Sequence, residues 1–243
     1  MAKSLEERVT ELEAKNAKLE EDLKKVSWRA EKAYAATECL RLISRYCYLH
    51  AAGKDRQWYL ESFSKKMPDI AVGHGQMGIM VGKEHLESRI FAERRPEHEE
   101  GGPGGRVGWI FLHPTASQYI EVAKDLKTAK GVFLSIGIES AGDQRGVLKP
   151  AWGWGCYGVD FINEDGEWKI WHFHINRIFR GDYFQSWITY DPDVELSYYT
   201  VPPEQRYDKP PKDDCPYRPN QKFVLKPDPP QPYETFDPAT SYC

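Results

Sequence analysis

Apolar residues at the start of the chain recur in steps of four and three. Leu5, Val9, Leu12, Leu19, Leu23 and Val26 follow this rhythm, with Asn16 as its polar member. The spacing predicts a heptad seam over residues 1–26, with Leu5, Leu12, Leu19 and Val26 at d and Val9, Asn16 and Leu23 at a. An Asn at a fixes register and favours two parallel strands; a trimer, or an amphipathic helix without a partner, are the alternatives. No Pro or Gly occurs between Met1 and Ala52, so helix is expected to run on past the seam. Cys39, Ile43, Tyr46 and His50 then fall on one helical face. Gly53 ends this helix, and a second one from Asp55 to about Ser64 is expected to stop at Pro68.

The period then shortens. Asp69–His74 and Met77–Val81 read as short strands, and Lys83–Phe91 as a third helix. Residues 96–108 are rich in Gly, Pro and Glu and read as a long mobile loop. From Trp109 onward strand follows strand, near 109–113, 117–124, 128–139, 151–163 and 167–179. Asp165-Gly166 is a two-residue turn signal that predicts a long antiparallel hairpin. Helices followed by an antiparallel meander define an α+β domain, in which one curled sheet wraps on helices. It is expected to span residues 27–190. Residues 191–243 hold twelve of the seventeen prolines, yet also many Tyr and Phe. An extended arm lying along its own domain or a neighbouring subunit is expected there, against the alternative of a loose tail.

Composition removes several function classes. With 243 residues, a net charge of −4 and a pI near 6.0, the chain shows no basic strip that would call for nucleic acid. The charged opening is unlike a signal peptide, and no apolar run approaches a membrane span. Five cysteines without CxxC spacing read as reduced thiols in a cytoplasmic protein. P-loop, GxGxxG and GxSxG patterns are absent, which removes most nucleotide and flavin chemistry. An aromatic content of 13% suits either a large core or a pocket for a flat apolar ligand, with Trp109, Tyr119, Trp154 and Tyr48 as candidate contacts.

Histidines carry the remaining candidate chemistry. His113 ends the apolar strand Trp109–Leu112, a position equally suited to a structural and a catalytic residue. Tyr46 and His50 are one helical turn apart, and can form a satisfied core pair or a proton shuttle. His172 and His174 lie two apart, and strict alternation puts them with Trp168, Ile170 and Asn176 on one strand face. An HxH pair can bind metal, but without a third ligand at fitting spacing an acid/base or hydrogen-bonding role is favoured and no metal is expected.

Three stretches carry a family resemblance. They are Leu42-Ile43-Ser44-Arg45-Tyr46 with Trp58–Phe63; His113 to Val122 with Thr128-Ala129-Lys130-Gly131; and Tyr157–Phe161 with Glu164-Asp165-Gly166-Glu167-Trp168-Lys169-Ile170. In order and spacing they resemble the SnoaL-like branch of the nuclear transport factor 2-like superfamily over roughly residues 30–180. The resemblance implies a cone, with a curled antiparallel sheet around helices and an apolar cavity. It also implies cofactor-free acid/base chemistry of the kind found in scytalone and bile-acid dehydratases and polyketide cyclases. By position His113 matches the dehydratases' strand histidine and Tyr46 their helix tyrosine. The aspartate they place five residues after that tyrosine is Ala51 here, and His50 is its candidate replacement.

Within the superfamily, the coil, the tail and the aromatic content look most like the cofactor-less diarylpropane lyases of lignin-dimer breakdown. That likeness implies a bulky phenolic substrate, loss of a benzylic hydroxyl, and release of formaldehyde to give a stilbene. His113 would be the acid, His50 with Tyr46 the base pair, and His174, Asn176 or an arginine the holder of the phenol end, with His172 a further candidate substrate contact. A simple dehydratase and a non-catalytic binding module are the alternatives.

Overall fold

The structure, a computed structural model, describes residues 3–75, 77–92, 107–142, 147–189, 191, 207–213 and 215–243. Helix α1 runs unbroken from Leu5 to Ala51. Ser4 starts it with a capping box: its Oγ accepts from the Glu7 N–H, and the Glu7 carboxylate accepts from the Ser4 N–H. The first half of α1 is exposed. In the second half Ala35, Cys39, Ile43 and Tyr46 are buried against the sheet.

Helix α2 spans Asp55–Ser62 and stops before the expected boundary. Phe63 is already extended and bridges in parallel to Ile170, and the Ser64 N–H donates to the Ile170 carbonyl. Sheet pairing, and not Pro68, therefore ends this helix. Strands β1 (Ala71–His74) and β2 (Gly78–Val81) precede helix α3 (Lys83–Ala92). The loop expected at 96–108 lies mostly outside the described residues. Strands β3 (Ile110–Leu112), β4 (Thr115–Val122), β5 (Thr128–Gly142), β6 (Leu148–Glu164) and β7 (Glu167–Asp182) complete the sheet.

The strand order is β2-β1-β7-β6-β5, and β3 and β4 share the outer edge of β5. All pairs are antiparallel except β1 with β7. A pure meander was the expectation. The departure arises because β1, from the N-terminal half, joins the free edge of the last strand. The β6–β7 turn has Asp165 at φ 56° and Gly166 at φ 94°, the two positive values that a type I′ hairpin requires. The fold class is α+β, with one curled mixed sheet.

The two faces of this sheet define the molecule. Phe133, Tyr157, Val159, Phe161, Ile170 and Phe173 face α1 and α2 in the main core. The opposite face carries Lys130, Asp160, His172, His174 and Asn176, and residues from the C-terminal segment cover it. Gly158 lies directly under that segment, where a Cβ would come within 2.7 Å of the Tyr242 ring. Among the described residues, no helix is long and apolar enough to cross a membrane.

A bulge in β7 corrects the expected alternation. Phe161 pairs with Ile170 but Asp160 pairs with His172, so Trp171 is an extra residue. One inserted residue exchanges the faces of everything beyond it. His172, His174 and Asn176 consequently point away from the face that buries Trp168 and Ile170.

Candidate active site

The site is built where β3 gives way to β4. Leu112 pairs with Ile138 and Thr115 with Ser135, which leaves His113-Pro114 at the joint opposite Gly137. A Cβ at Gly137 would lie 2.3 Å from His113 Nδ1 and 2.6 Å from the Gly153 carbonyl. Glycine is what lets the imidazole lie down on the sheet. Gly153, the cross-strand partner of Gly137, and Gly155 continue this bare floor on β6.

Two imidazoles meet above the floor. The rings of His50 and His113 are 5.5 Å apart, centroid to centroid. Each has a carboxylate beside it, and His50 is hydrogen-bonded to its own. His50 Nδ1 is 2.7 Å from Asp55 Oδ1, and His113 Nε2 is 3.4 Å from Glu139 Oε1. Asp55 is the first residue of α2, where the N-terminal end of a helix favours a negative charge. Ala51, where the resemblance implied an aspartate, carries no carboxylate, and Asp55 is the carboxylate beside His50. Glu139 also accepts from Arg180 Nε at 2.6 Å.

Burial divides the proton affinities in this cluster. It pushes His113 down to about 4; the Glu139 charge opposes this, and His50, Arg177 and Arg180 add to it. His113 is therefore neutral near pH 7. Burial alone would raise the Glu139 carboxyl, but Arg180, His113 and Arg177 outweigh it and hold Glu139 ionised. Tyr46 is pushed well above its ordinary value, first by burial and then by Tyr157 and Asp55. Tyr157 is pushed up to about 12, mainly by burial. Both phenols are neutral hydrogen-bond donors.

Aromatic rings wall the cluster. Tyr46 stacks on His50 at 5.2 Å and packs against Trp58, Tyr157 and Phe173. Phe111 lies edge-on to His50 at 6.2 Å, and Trp109 packs on Phe111. Several buried polar atoms on this side make no hydrogen bond among the described residues: Asp55 Oδ2, Trp58 Nε1 and His74 Nδ1. Such orphans are costly in a settled core and mark groups able to bind a polar ligand. Among the described residues, no three His, Cys, Asp or Glu side chains gather as a metal would need.

The structure splits the residues predicted from sequence. It brings together His50, His113 and Tyr46, with Trp109 beside them through Phe111. It separates His174, His172 and Asn176, which the β7 bulge turns to the opposite face. There His172 Nδ1 lies 2.9 Å from Asp160 Oδ2, and Asn176 donates to the carbonyls of Asp213 and Lys226. His174 is 2% exposed beneath the C-terminal segment, and burial lowers it to about 4. Trp154 stacks on Phe179 on that same face, because Trp154 pairs with Ile136 rather than with the floor glycines. Tyr119 pairs with Val132 and also points there. Tyr48 is 80% exposed on the outer side of α1, two residues out of phase with Tyr46.

Sequence reasoning passed over Asp55, Glu139, Arg180 and His74. Asp55 carried a usable signal, as the acidic N-terminus of a helix five residues after His50. Glu139 and Arg180 carried none, because their pairing joins residues 41 positions apart through the strand register. His74 was hidden at the end of a strand of four. It pairs with Ile175, faces the α1 side, and is held well below its ordinary proton affinity by burial, then by Arg177 and His174.

Comparison with protein families and known structures adds the following. The family model described as SnoaL-like domain matches residues 31–174. No curated protein matches the chain. Among solved structures, the chain is similar to an NTF2-like protein with a cystatin-like fold from Novosphingobium aromaticivorans. That match has 12% identity and a TM-score of 0.42, over 64% of this chain and 90% of that one. It is also similar to the hexachlorocyclohexane dehydrochlorinase LinA-type3 from Novosphingobium barchaimii. Here identity is 12% and the TM-score 0.46, over 65% of this chain and 96% of that one.

Proposed function

Because the chain belongs to the SnoaL-like domain family, we propose that it is a cofactor-independent lyase that works by acid/base catalysis on a bulky phenolic small molecule. The observation that carries this reading is the neighbouring pair of imidazoles, each with a carboxylate beside it and His50 hydrogen-bonded to its own. Elimination from an alcohol needs one group to protonate the departing hydroxyl and another to take a proton nearby, and two neighbouring histidines supply both.

The finer reading is a diarylpropane-type substrate, of the kind derived from lignin dimers. The benzylic hydroxyl leaves as water after protonation, while the para-phenol loses its proton and a quinone methide forms. A base then deprotonates the neighbouring CH2OH. Formaldehyde departs, and its bonding electrons restore the aromatic ring to give the stilbene. The balance is one diol to one stilbene, one formaldehyde and one water.

The roles follow from burial. His113, neutral down to about pH 4, is assigned the base. His50, hydrogen-bonded to Asp55, is assigned the acid. This reverses the assignment made from sequence, where His113 was the acid; a group that holds a proton only below pH 4 is a poor donor at neutral pH. Tyr46 and Tyr157 offer neutral hydroxyls to the substrate oxygens. Arg177 and Arg180, on the same face, bring the positive charge that a phenolate requires. Trp109 and Phe111 offer flat apolar surface to an aryl ring.

The test is to incubate the protein with a para-hydroxylated 1,2-diarylpropane-1,3-diol, following stilbene absorbance and formaldehyde together. The expected result is both products in equal amounts. Water loss without formaldehyde would place the protein among simple dehydratases. No turnover of diaryl diols or other hydroxylated aromatic alcohols would overturn the enzyme reading.

A further inference from the structure

The first half of α1 reaches no other part of the described chain, and its apolar seam is bare. Leu5, Val9, Leu12, Leu19, Leu23 and Val26 are all between 45 and 76% exposed. Lone exposed apolar residues need no explanation, but six in strict heptad register form a stripe that water does not favour. We infer that this stripe is the docking surface for a second copy of the same chain, joined as a parallel, in-register, two-stranded coiled coil.

Charge selects the occupant and its direction. With Leu5 at d, the e positions are Glu6, Glu13, Glu20 and Ser27, and the g positions are Arg8, Lys15, Asp22 and Arg29. In a parallel pair each g residue faces the e residue five positions later on the other helix. Arg8 then meets Glu13, and Lys15 meets Glu20, in both directions across the seam. An antiparallel pair would instead set e against e, opposing Glu13 to Glu13 and Glu6 to Glu20. Asn16 at a central a position pairs with its own copy only when the register is exact to the residue, and Leu at d with Val at a suits two strands.

The phase of the helix leaves room for this partner. Contacts with the domain begin at Trp28, whose Nε1 donates to the Lys124 carbonyl, and continue through Lys32, Ala35, Cys39, Ile43 and Tyr46. This stripe starts two residues after the seam's last member, Val26. Two residues are about 200° around a helix, so the seam and the domain lie on opposite sides of α1. A second helix can therefore pack along the seam without meeting the sheet. The seam continues past Val26 as Ala30, Ala33 and Thr37, all exposed and small enough to let two helices stay close.

Light scattering on the intact chain, coupled to size exclusion, reads the result. The expected mass is twice that of one chain, falling to one chain in the Leu12→Asp, Leu19→Asp double variant, with near-UV circular dichroism unchanged because both side chains are exposed. Direction is read with Leu5→Cys. Oxidation is expected to give a covalent dimer that the parent chain does not form, since only a parallel pair sets position 5 against position 5. A monomeric parent chain, a trimer, a dimer that survives the double substitution, or no cross-link in Leu5→Cys would each overturn the proposal.

Discussion

The sheet carries a cluster of histidine and carboxylate on each of its faces, and the two are built for opposite ends. On the C-terminal side Asp160 is fully buried and accepts from Lys130 Nζ, Ser241 Oγ and the Tyr242 N–H, with His172 Nδ1 at 2.9 Å. That carboxylate is saturated, and burial is more than offset by its partners, so its carboxyl stays below the ordinary value. On the helix side His113 rests on Gly137 and Gly153, His50 packs against it, and Asp55 Oδ2, Trp58 Nε1 and His74 Nδ1 have no partner among the described residues. A saturated network resists exchange of partners and holds the chain in place. An unsaturated one has hydrogen bonds left to give a ligand. Saturation belongs to the Asp160 network and not to the whole C-terminal face, because both ring nitrogens of His174 on that face make no hydrogen bond among the described residues.

Breaking the saturated side carries the largest expected cost. Asp160→Ala strands Lys130 and His172, and should lower stability by about 3–5 kcal/mol in chemical denaturation. Turnover per folded molecule should be unchanged.

Acid weakens both sides in the same direction. His113 and His174 have folded values of about 4 against an ordinary 6.5. Between these limits the unfolded chain binds the proton and the folded one does not. Stability therefore falls as pH drops from about 6.5 to about 4, by roughly 3 kcal/mol per histidine. Denaturation midpoints across that window should show the slope, and His113→Gln or His174→Gln should each remove its share.

Gly137→Ala sharpens the comparison from the unsaturated side. The added Cβ collides with His113 Nδ1 and the Gly153 carbonyl. The expected cost is about 1–3 kcal/mol from overpacking. Turnover should also fall by up to about 10²-fold, as the imidazole is displaced from its carboxylate. The smallest effect belongs to Tyr48→Ala. This side chain lies in solvent, and its loss should change stability by less than about 0.5 kcal/mol with turnover intact.

Much of the fold is legible in the sequence. The unbroken α1, the type I′ turn at Asp165-Gly166 and the long β6–β7 hairpin follow from local rules that hold at each residue. The helix-side trio Tyr46, His50 and His113 was legible too, because helical spacing and a family motif each constrain it. What failed was the strand alternation in β7. A single inserted residue, Trp171, has no marker in its own chemistry, yet it moves His172, His174 and Asn176 to the other face. Glu139 and Arg180 were illegible for a related reason: they sit far apart in the chain and meet only through the β5–β6–β7 register.

The central claim is that proton transfer belongs to the helix-facing pair and not to the histidines beneath the C-terminal segment. Its most direct test is kcat/KM for release of formaldehyde, or of water, by His113→Gln and His174→Gln under identical conditions, each verified as folded. The first substitution should cost about 10²–10⁴-fold and the second almost nothing. Equal losses in the two variants, or full activity in His113→Gln, would contradict the account.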